Sequence, residues 1–487
     1  MLRVGAAVLK YVAIVSGVLL AGVLLLAAYI LVDLSPQQHT LPNQVNVVND
    51  ITQLNPIEVS KVIVPTSIAD IQHAITATTR HISIGGGRYS QGGQIALEDH
   101  LHLDMRDFNH VVSFDPSGRE ITVQSGIRWR DIQDVIDPEG LSIKIMQSYS
   151  NFTVGGSLSV NVHGRYIGEG PIIRSVKSIK VVLADGTVVD ASPQQNADVF
   201  YGVIGGYGGL AVIAEATLAL VPNVKVARET EYMTIAQYAA FFKQQIQTNP
   251  NMVFHNADIY PPNYTHVNSI SWVKTDKALI VQTRLISRDK DYWWQPKAAK
   301  FVADSDVAKW IRQHIVEPIQ YSADAVQWRN YEASYDVTEL EPKSREIETY
   351  ALREYFVPVA RFDSFSAKMS AIFNAHDVNV LNVSIRHALP DTGSLLAWAR
   401  EEVFAFVVYY RQGTSAQEQK AVNTWSQEMI DAVIVEGGTY YLPYQLHATT
   451  AQFHRAYPRA NEFFALKKRL DPNNRFSNKL WQQHYAN

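Results

Sequence analysis

The chain has 487 residues, of which 47% are hydrophobic and 18% charged, so it is too long for one core and too apolar to be disordered; two or three globular domains are expected. A net charge of −4, with Lys and Arg scattered rather than clustered, gives no footing for nucleic acid. The absence of cysteine excludes thiol nucleophiles, disulfides and thiolate metal sites, and no metal is expected.

Tyr11 to Val32 is a run of 22 residues without a charge, preceded by Arg3 and Lys10 and followed by Asp33. At about 1.5 Å per residue it can cross a hydrocarbon layer of ~30 Å, and it exceeds the ~7–15 residues of a cleaved signal. The flanking charges predict a single-pass anchor with a cytoplasmic N-terminus and the rest of the chain on the outer, periplasmic side. Residues 35–55 read as a polar, proline-containing linker.

Val62–Pro65 reads as a short strand, Ser67–Thr79 as a helix capped by Ser67, and His81–Ile84 as a strand running into Gly85-Gly86-Gly87. Leu101–Met105, Val111–Phe114 and Ile121–Gln124 follow as strands, then a helix over Trp129–Ile136. Asp185-Gly186 marks a hairpin, and Leu210–Leu220 is a long apolar strand. Beyond residue 223 the texture changes to longer helices over Ile235–Gln247 and Lys297–Ile315, alternating with strands over Ala278–Ser287 and Val403–Tyr410. A helix is predicted near Thr450–Leu470, ahead of Asp471-Pro472-Asn473-Asn474-Arg475-Phe476.

A strand entering three glycines presents consecutive amides in a nest suited to a pyrophosphate, though alone it is equally a turn. Thr153-Val154-Gly155-Gly156 continues to Ser157, Ser159 and His163-Gly164, and the small side chains leave room for a flat ring system. Gly206-Tyr207-Gly208-Gly209-Leu210-Ala211 imitates a dinucleotide fingerprint, but such a fingerprint opens a helix and Leu210 onward reads as a strand.

These glycine stretches, in this order and with the Asp471–Phe476 segment, resemble the vanillyl-alcohol oxidase superfamily, whose FAD-binding domain is of the p-cresol methylhydroxylase type. Thr153–Gly164 and Phe453–Arg459 are most similar to the decaprenylphosphoryl-ribose oxidases of that superfamily. The resemblance covers roughly residues 56–222 and 440–480. With the anchor and element reading above, the expected fold is α+β: a two-subdomain FAD-binding domain plus an α+β substrate (cap) domain, preceded by one transmembrane helix. The expected segments are 1–34 (anchor), 35–55 (linker), 56–222 (FAD-binding), 223–440 (cap) and 441–487 (returning to the flavin).

The resemblance further implies that Gly85, Gly86, Gly87, Arg88, Tyr89 and Ser90, with Gly92, hold the pyrophosphate. Thr153, Gly155, Gly156, Ser159 and Val160 would line the flavin, with His163 and Gly164 near its ring, Val212 toward the adenine, and Tyr441 reaching it from the C-terminal segment. Two departures matter. The position of the superfamily's flavin-linking histidine holds Tyr89 or Arg88, so FAD is expected to be non-covalent; and the lysine of the prenyl-sugar oxidases is matched by Tyr444.

Oxidation of a hydroxyl carbon needs a base within hydrogen-bond reach of the oxygen, and Tyr441, Tyr444, His447 and His163 are the candidates. Along Leu381–His387, Asn382, Ser384 and Arg386 share one face, which is either the floor of a substrate pocket, with Arg386 binding a sugar or anion, or a solvated sheet face. The leading expectation is an FAD-dependent oxidoreductase acting on a sugar, polyol, lactone or lipid-linked sugar, with oxygen or a membrane quinone as acceptor. The alternatives are a flavin-dependent reductase of a carbon–carbon double bond using NAD(P)H, and a flavin-binding protein without turnover.

Overall fold

The computed structural model describes residues 46–342 and 344–485. The anchor predicted over Tyr11–Val32 lies outside the described residues; among those described, no helix is long and apolar enough to cross a membrane.

The described chain opens with a two-stranded ribbon, β1 (Val47–Val48) and β2 (Ile57–Glu58). A parallel sheet follows, β3 (Lys61–Ile63), β4 (Ile82–Gly85) and β5 (Leu101–Asp104), in the order β3-β5-β4. The Ile68–Thr76 helix joins β3 to β4. Ser67 accepts the Asp70 amide and the Asp70 carboxylate accepts the Ser67 amide, a capping box worth ~1 kcal/mol. Ile71, Ala74 and Ile75 are its buried stripe.

The second sheet holds β6 (Val111–Asp115), β7 (Glu120–Gln124), β8 (Leu141–Ile143), β9 (Val176–Val182), β10 (Val188–Ala191) and β11 (Val212–Pro222). Its order is β10-β9-β11-β7-β6, with β8 paired to the far end of β11. The stretch before β11 makes no helix, which excludes the dinucleotide fingerprint: Tyr207 takes φ 50° and Gly208 φ 67°, and the chain then enters β11.

An eight-stranded antiparallel sheet dominates the rest: β12 (Lys225–Thr234), β13 (Met252–Ile259), β14 (His266–Lys274), β15 (Val326–Trp328), β16 (Glu348–Pro358), β17 (Val380–Ala388), β18 (Val403–Gly413) and β19 (Thr439–Tyr440). Its order is β15-β12-β14-β13-β17-β18-β16-β19. The Phe362–Ala375 and Ala416–Val435 helices bury Phe365, Met369, Trp425 and Met429 within the core.

Three predicted elements differ. No strand forms over Ala278–Ser287: the Ile280 and Val281 amides both reach the single Val326 carbonyl on β15, and no ladder continues from it. The predicted Lys297–Ile315 helix is broken. Gln295–Asp304 ends at Ser305, whose extended backbone and hydroxyl cap the next helix, Asp306–Ile311. The predicted Thr450–Leu470 helix divides into Thr450–Ala456 and Ala460–Leu470, since Pro458 has no amide to continue it.

The last segment returns to the first sheet. Ile82 donates to the Arg475 carbonyl and accepts from the Ser477 amide, extending β4. Asp471 receives the Arg475 and Phe476 amides, which folds Asp471–Phe476 into a closed turn. Lys467, fully buried, donates to Asp471 (3.0 Å), to the Gly209 carbonyl and to the Phe476 carbonyl. Charge and donors are thereby all met, as a buried ammonium requires.

Candidate functional site

A cavity of about 830 Å³ opens between the glycine-bearing segments and the large sheet. That is near the upper end of the ~300–1,000 Å³ usual for ligand pockets. Gly86, Gly87, Arg88, Tyr89 and Ser90 form one wall, and Thr153, Gly155, Gly156, Ser159 and Val160 the next.

The two glycine stretches meet edge to edge. The Gly87 amide donates to Thr153 Oγ1 (3.1 Å), and a Cβ on Gly86 would strike that same oxygen. A Cβ on Gly155 would lie 2.7 Å from Ser125 Cβ. Backbone therefore forms the wall where a side chain has no room. Arg88 takes φ 63°, a conformation that costs a non-glycine residue ~1 kcal/mol or more, and its guanidinium is held 2.9 Å from Asp104. The Tyr89 ring packs on Phe152 with centroids 4.4 Å apart, and burial pushes its hydroxyl up to about 12.

Other predicted positions fall behind the wall. Gly85 lies against the His102 ring, Gly92 against the Tyr444 carbonyl, Gly164 against Tyr166, and Val212 between the lining residues Ala211 and Ile213. They shape the site by close packing. His447 is not brought to the cavity: its Nδ1 bonds the Arg353 guanidinium, and burial beside that charge lowers it to about 2. It bonds Arg353 of β16 and does not line the cavity.

Two of the remaining candidates, His163 and Tyr444, converge on a residue that pattern reasoning passed over, Glu354 of β16. His163 Nε2 is 2.6 Å from Glu354 Oε2, and the Tyr444 hydroxyl donates to Glu354 Oε1. Since a carboxylate faces Nε2, that nitrogen carries the proton. The His163 ring is boxed by Trp398 (5.1 Å) and Phe356 (5.5 Å). Tyr441 instead donates to the Val160 carbonyl (2.8 Å), tying the C-terminal segment to the Thr153–Val160 wall.

Burial alone would raise Glu354, but His163, Arg386 and Tyr444 outweigh it and hold the carboxyl below the usual range. Burial, with Glu354 beside them, pushes the Tyr441 and Tyr444 hydroxyls well above theirs. Both tyrosines therefore stay protonated, and the anionic acceptor in the cluster is Glu354. A signal for it was present: Arg353-Glu354 interrupts the apolar run Tyr350 to Pro358, and a charge in a buried strand needs a reason.

Asn382, Ser384 and Arg386 of β17 face this cavity, so the polar face is a floor rather than a solvated surface. Buried atoms without a partner among the described residues also cluster here: Ser125 Oγ, Ser148 Oγ, Arg88 Nε, Asn382 Oδ1 and Arg386 Nε. A cavity with glycine backbone on one side and the polar residues Asn382, Ser384 and Arg386 on another fits FAD plus a polyhydroxylated substrate.

Residues 59–192 match the family described as FAD binding domain. The chain is 22% identical to mouse L-gulonolactone oxidase over 427 residues, covering 85% of this chain and 92% of that one. It is 24% identical to rice mitochondrial L-galactono-1,4-lactone dehydrogenase 1, covering 53% of this chain and 41% of that one. Over 40% of each chain it is 28% identical to cytokinin dehydrogenase 2 of Arabidopsis thaliana.

Proposed function

Because the chain belongs to the vanillyl-alcohol oxidase superfamily of FAD-dependent oxidoreductases, we propose that it oxidises a hydroxyl-bearing carbon of a sugar-derived lactone or polyol. The observation that carries this reading is the ionised Glu354 carboxylate, buried in the cavity with Tyr444, His163 and Arg386 around it.

Bound FAD would accept the hydride from the substrate carbon. The Gly86–Ser90 loop would hold its pyrophosphate through backbone amides, and the Thr153–Val160 wall would lie along its ring system. Neither Arg88 nor Tyr89 can form an imidazole link to the flavin, which supports non-covalent binding. Acid precipitation tests this: a yellow supernatant over a colourless pellet is expected, and a pellet that stays yellow refutes it.

Glu354 takes the hydroxyl proton, directly or through Tyr444. The carboxylate stays charged at neutral pH, whereas the tyrosine stays neutral and can only relay. His163 donates to the other carboxylate oxygen and fixes the plane of the group. Arg386 lines the cavity and would bind a substrate carbonyl or hydroxyl oxygen.

The acceptor that reoxidises the cofactor is proposed to be oxygen or a membrane quinone. The Tyr11–Val32 segment is proposed as a single-pass anchor with the catalytic part on the outer side. Anaerobic bleaching of the flavin against aldonolactones, polyols and free sugars tests the function. Reduction by a lactone or polyol within seconds supports it; reduction by NADPH alone, with no response to any of the three classes, would mean the double-bond reductase.

A further inference from the structure

The cavity has a second wall that the oxidation chemistry does not use. It is the helical segment over residues 295–322, made of Gln295–Asp304, Asp306–Ile311, a wide turn over Arg312–Val316, and Glu317–Ser322. Ala298, Phe301, Val302, Ala308 and Ile311 face the cavity from it. Its outer side is apolar as well. Of fourteen large apolar side chains exposed among the described residues, six fall within residues 293–319: Trp293, Trp294, Val307, Trp310, Val316 and Ile319. Val307 and Ile319 are each 68% exposed, more than a surface helix ordinarily leaves to water. Val307, Trp310 and His314 follow a three-then-four spacing that stacks them on one face, and the Trp310 and His314 rings are 4.8 Å apart.

Two observations select a lipid surface as what meets this face. Trp294 and Val316 belong to both sets: they are exposed, and they line the cavity, so apolar groups stand at its rim on this side, beside the exposed Gln320. Three tryptophans among six exposed groups is the composition of an interfacial helix, whose rings seat at headgroup level. The place where the described chain begins agrees. Asp33 to Val45 is 13 residues, a reach of at most ~45 Å from the end of the uncharged segment, and Ile51, just beyond, lines this same cavity. A tether there keeps the cavity close to a bilayer.

We propose that residues 293–319 seat on the membrane surface and open the cavity to it, so that an amphiphilic molecule, either the substrate or the electron acceptor, enters from the lipid side. This extends the anchored reading given above, and its test separates the two. The chain has no cysteine, so single substitutions can carry a nitroxide label without background. Val307→Cys, Ile319→Cys and, as a control on a strand of the other sheet, Val188→Cys are labelled in the full chain and reconstituted with phosphatidylcholine vesicles.

Flotation with the vesicles reports the tether. Collision with oxygen and with a water-soluble nickel chelate reports depth. At Val307 and Ile319 the ratio of oxygen to nickel collisions is expected to exceed that at Val188 by roughly tenfold, as for a side chain ~5–10 Å below the headgroups. Chain that floats but gives equal ratios at all three sites keeps the anchor and overturns the docking face. Labels at Val307 and Ile319 shielded from both reagents mean that a second copy, or residues 11–32, covers the face, which also overturns it. Chain that does not float overturns both.

Discussion

At Glu354 two hydrogen-bonding neighbours, His163 and Tyr444, and the buried Arg386 meet one carboxylate, and its removal has a defined expectation. Glu354→Gln keeps the shape but not the charge, and flavin reduction by substrate is expected to slow by ~10²-fold or more, measured by anaerobic stopped flow. Tyr444→Phe removes a relay and leaves the acceptor in place, so a smaller loss of ~10-fold is expected. The pH dependence follows from the same cluster. Glu354 is held below its ordinary value of 4.5, so reduction should stay fast to that pH and fall only beneath it. The stability the group contributes is likewise present above pH 4.5 and lost as pH falls through the lowered value. An acid limb near pH 7 would contradict the assignment. His163 and Tyr444 were readable from their motifs. Glu354 was not, because it is 191 residues from His163 and 90 from Tyr444, and periodicity carries no information about contacts of that range.

Among the elements, those whose ends are set locally were legible: the Ser67-capped helix, Trp129–Ile136, the Asp185-Gly186 hairpin and the long β11. The strand read over Ala278–Ser287 does not form; its Ile280 and Val281 amides share the one Val326 carbonyl, a long-range contact that periodicity does not encode. Serine at 305 and proline at 458 are stop signals inside otherwise helical runs, and both helices break there. The Asp471–Phe476 turn offers a direct test. Lys467→Met leaves the Asp471 carboxylate buried and unpaired, so a loss of ~3–5 kcal/mol is expected, read as a lower urea midpoint. Arg475→Lys keeps the charge but forfeits the planar fork that reaches the Ile75, Thr78 and Arg80 carbonyls; a loss of ~1 kcal/mol is expected.

Over the whole molecule, buried histidines set the acid limit. Burial lowers His102, beside Arg88, to about 4, and lowers His255, near His387, to about 3. Their ordinary value is 6.5, so between that and about 4 the unfolded chain binds protons that the folded chain refuses. Stability is therefore complete above pH 6.5 and falls steadily below it, by ~1.4 kcal/mol per histidine per pH unit. Urea midpoints across pH 4.5–7.5 check this, and His102→Gln should flatten the slope by about one proton. The FAD-binding part was readable because its glycines repeat a motif. The large sheet was not, because its strands pair across long separations and carry no motif. One long-range contact reaches into biosynthesis. Arg475 bonds the Arg80 carbonyl across 395 residues, and Ile82 pairs with the same late segment. The strand that leads into the first glycine loop thus has β5 on one side but lacks its second neighbour until nearly the entire polypeptide has left the ribosome. Cofactor loading is then expected to follow translation, and nascent chains stalled before residue 467 should emerge colourless in a flavin-replete cell.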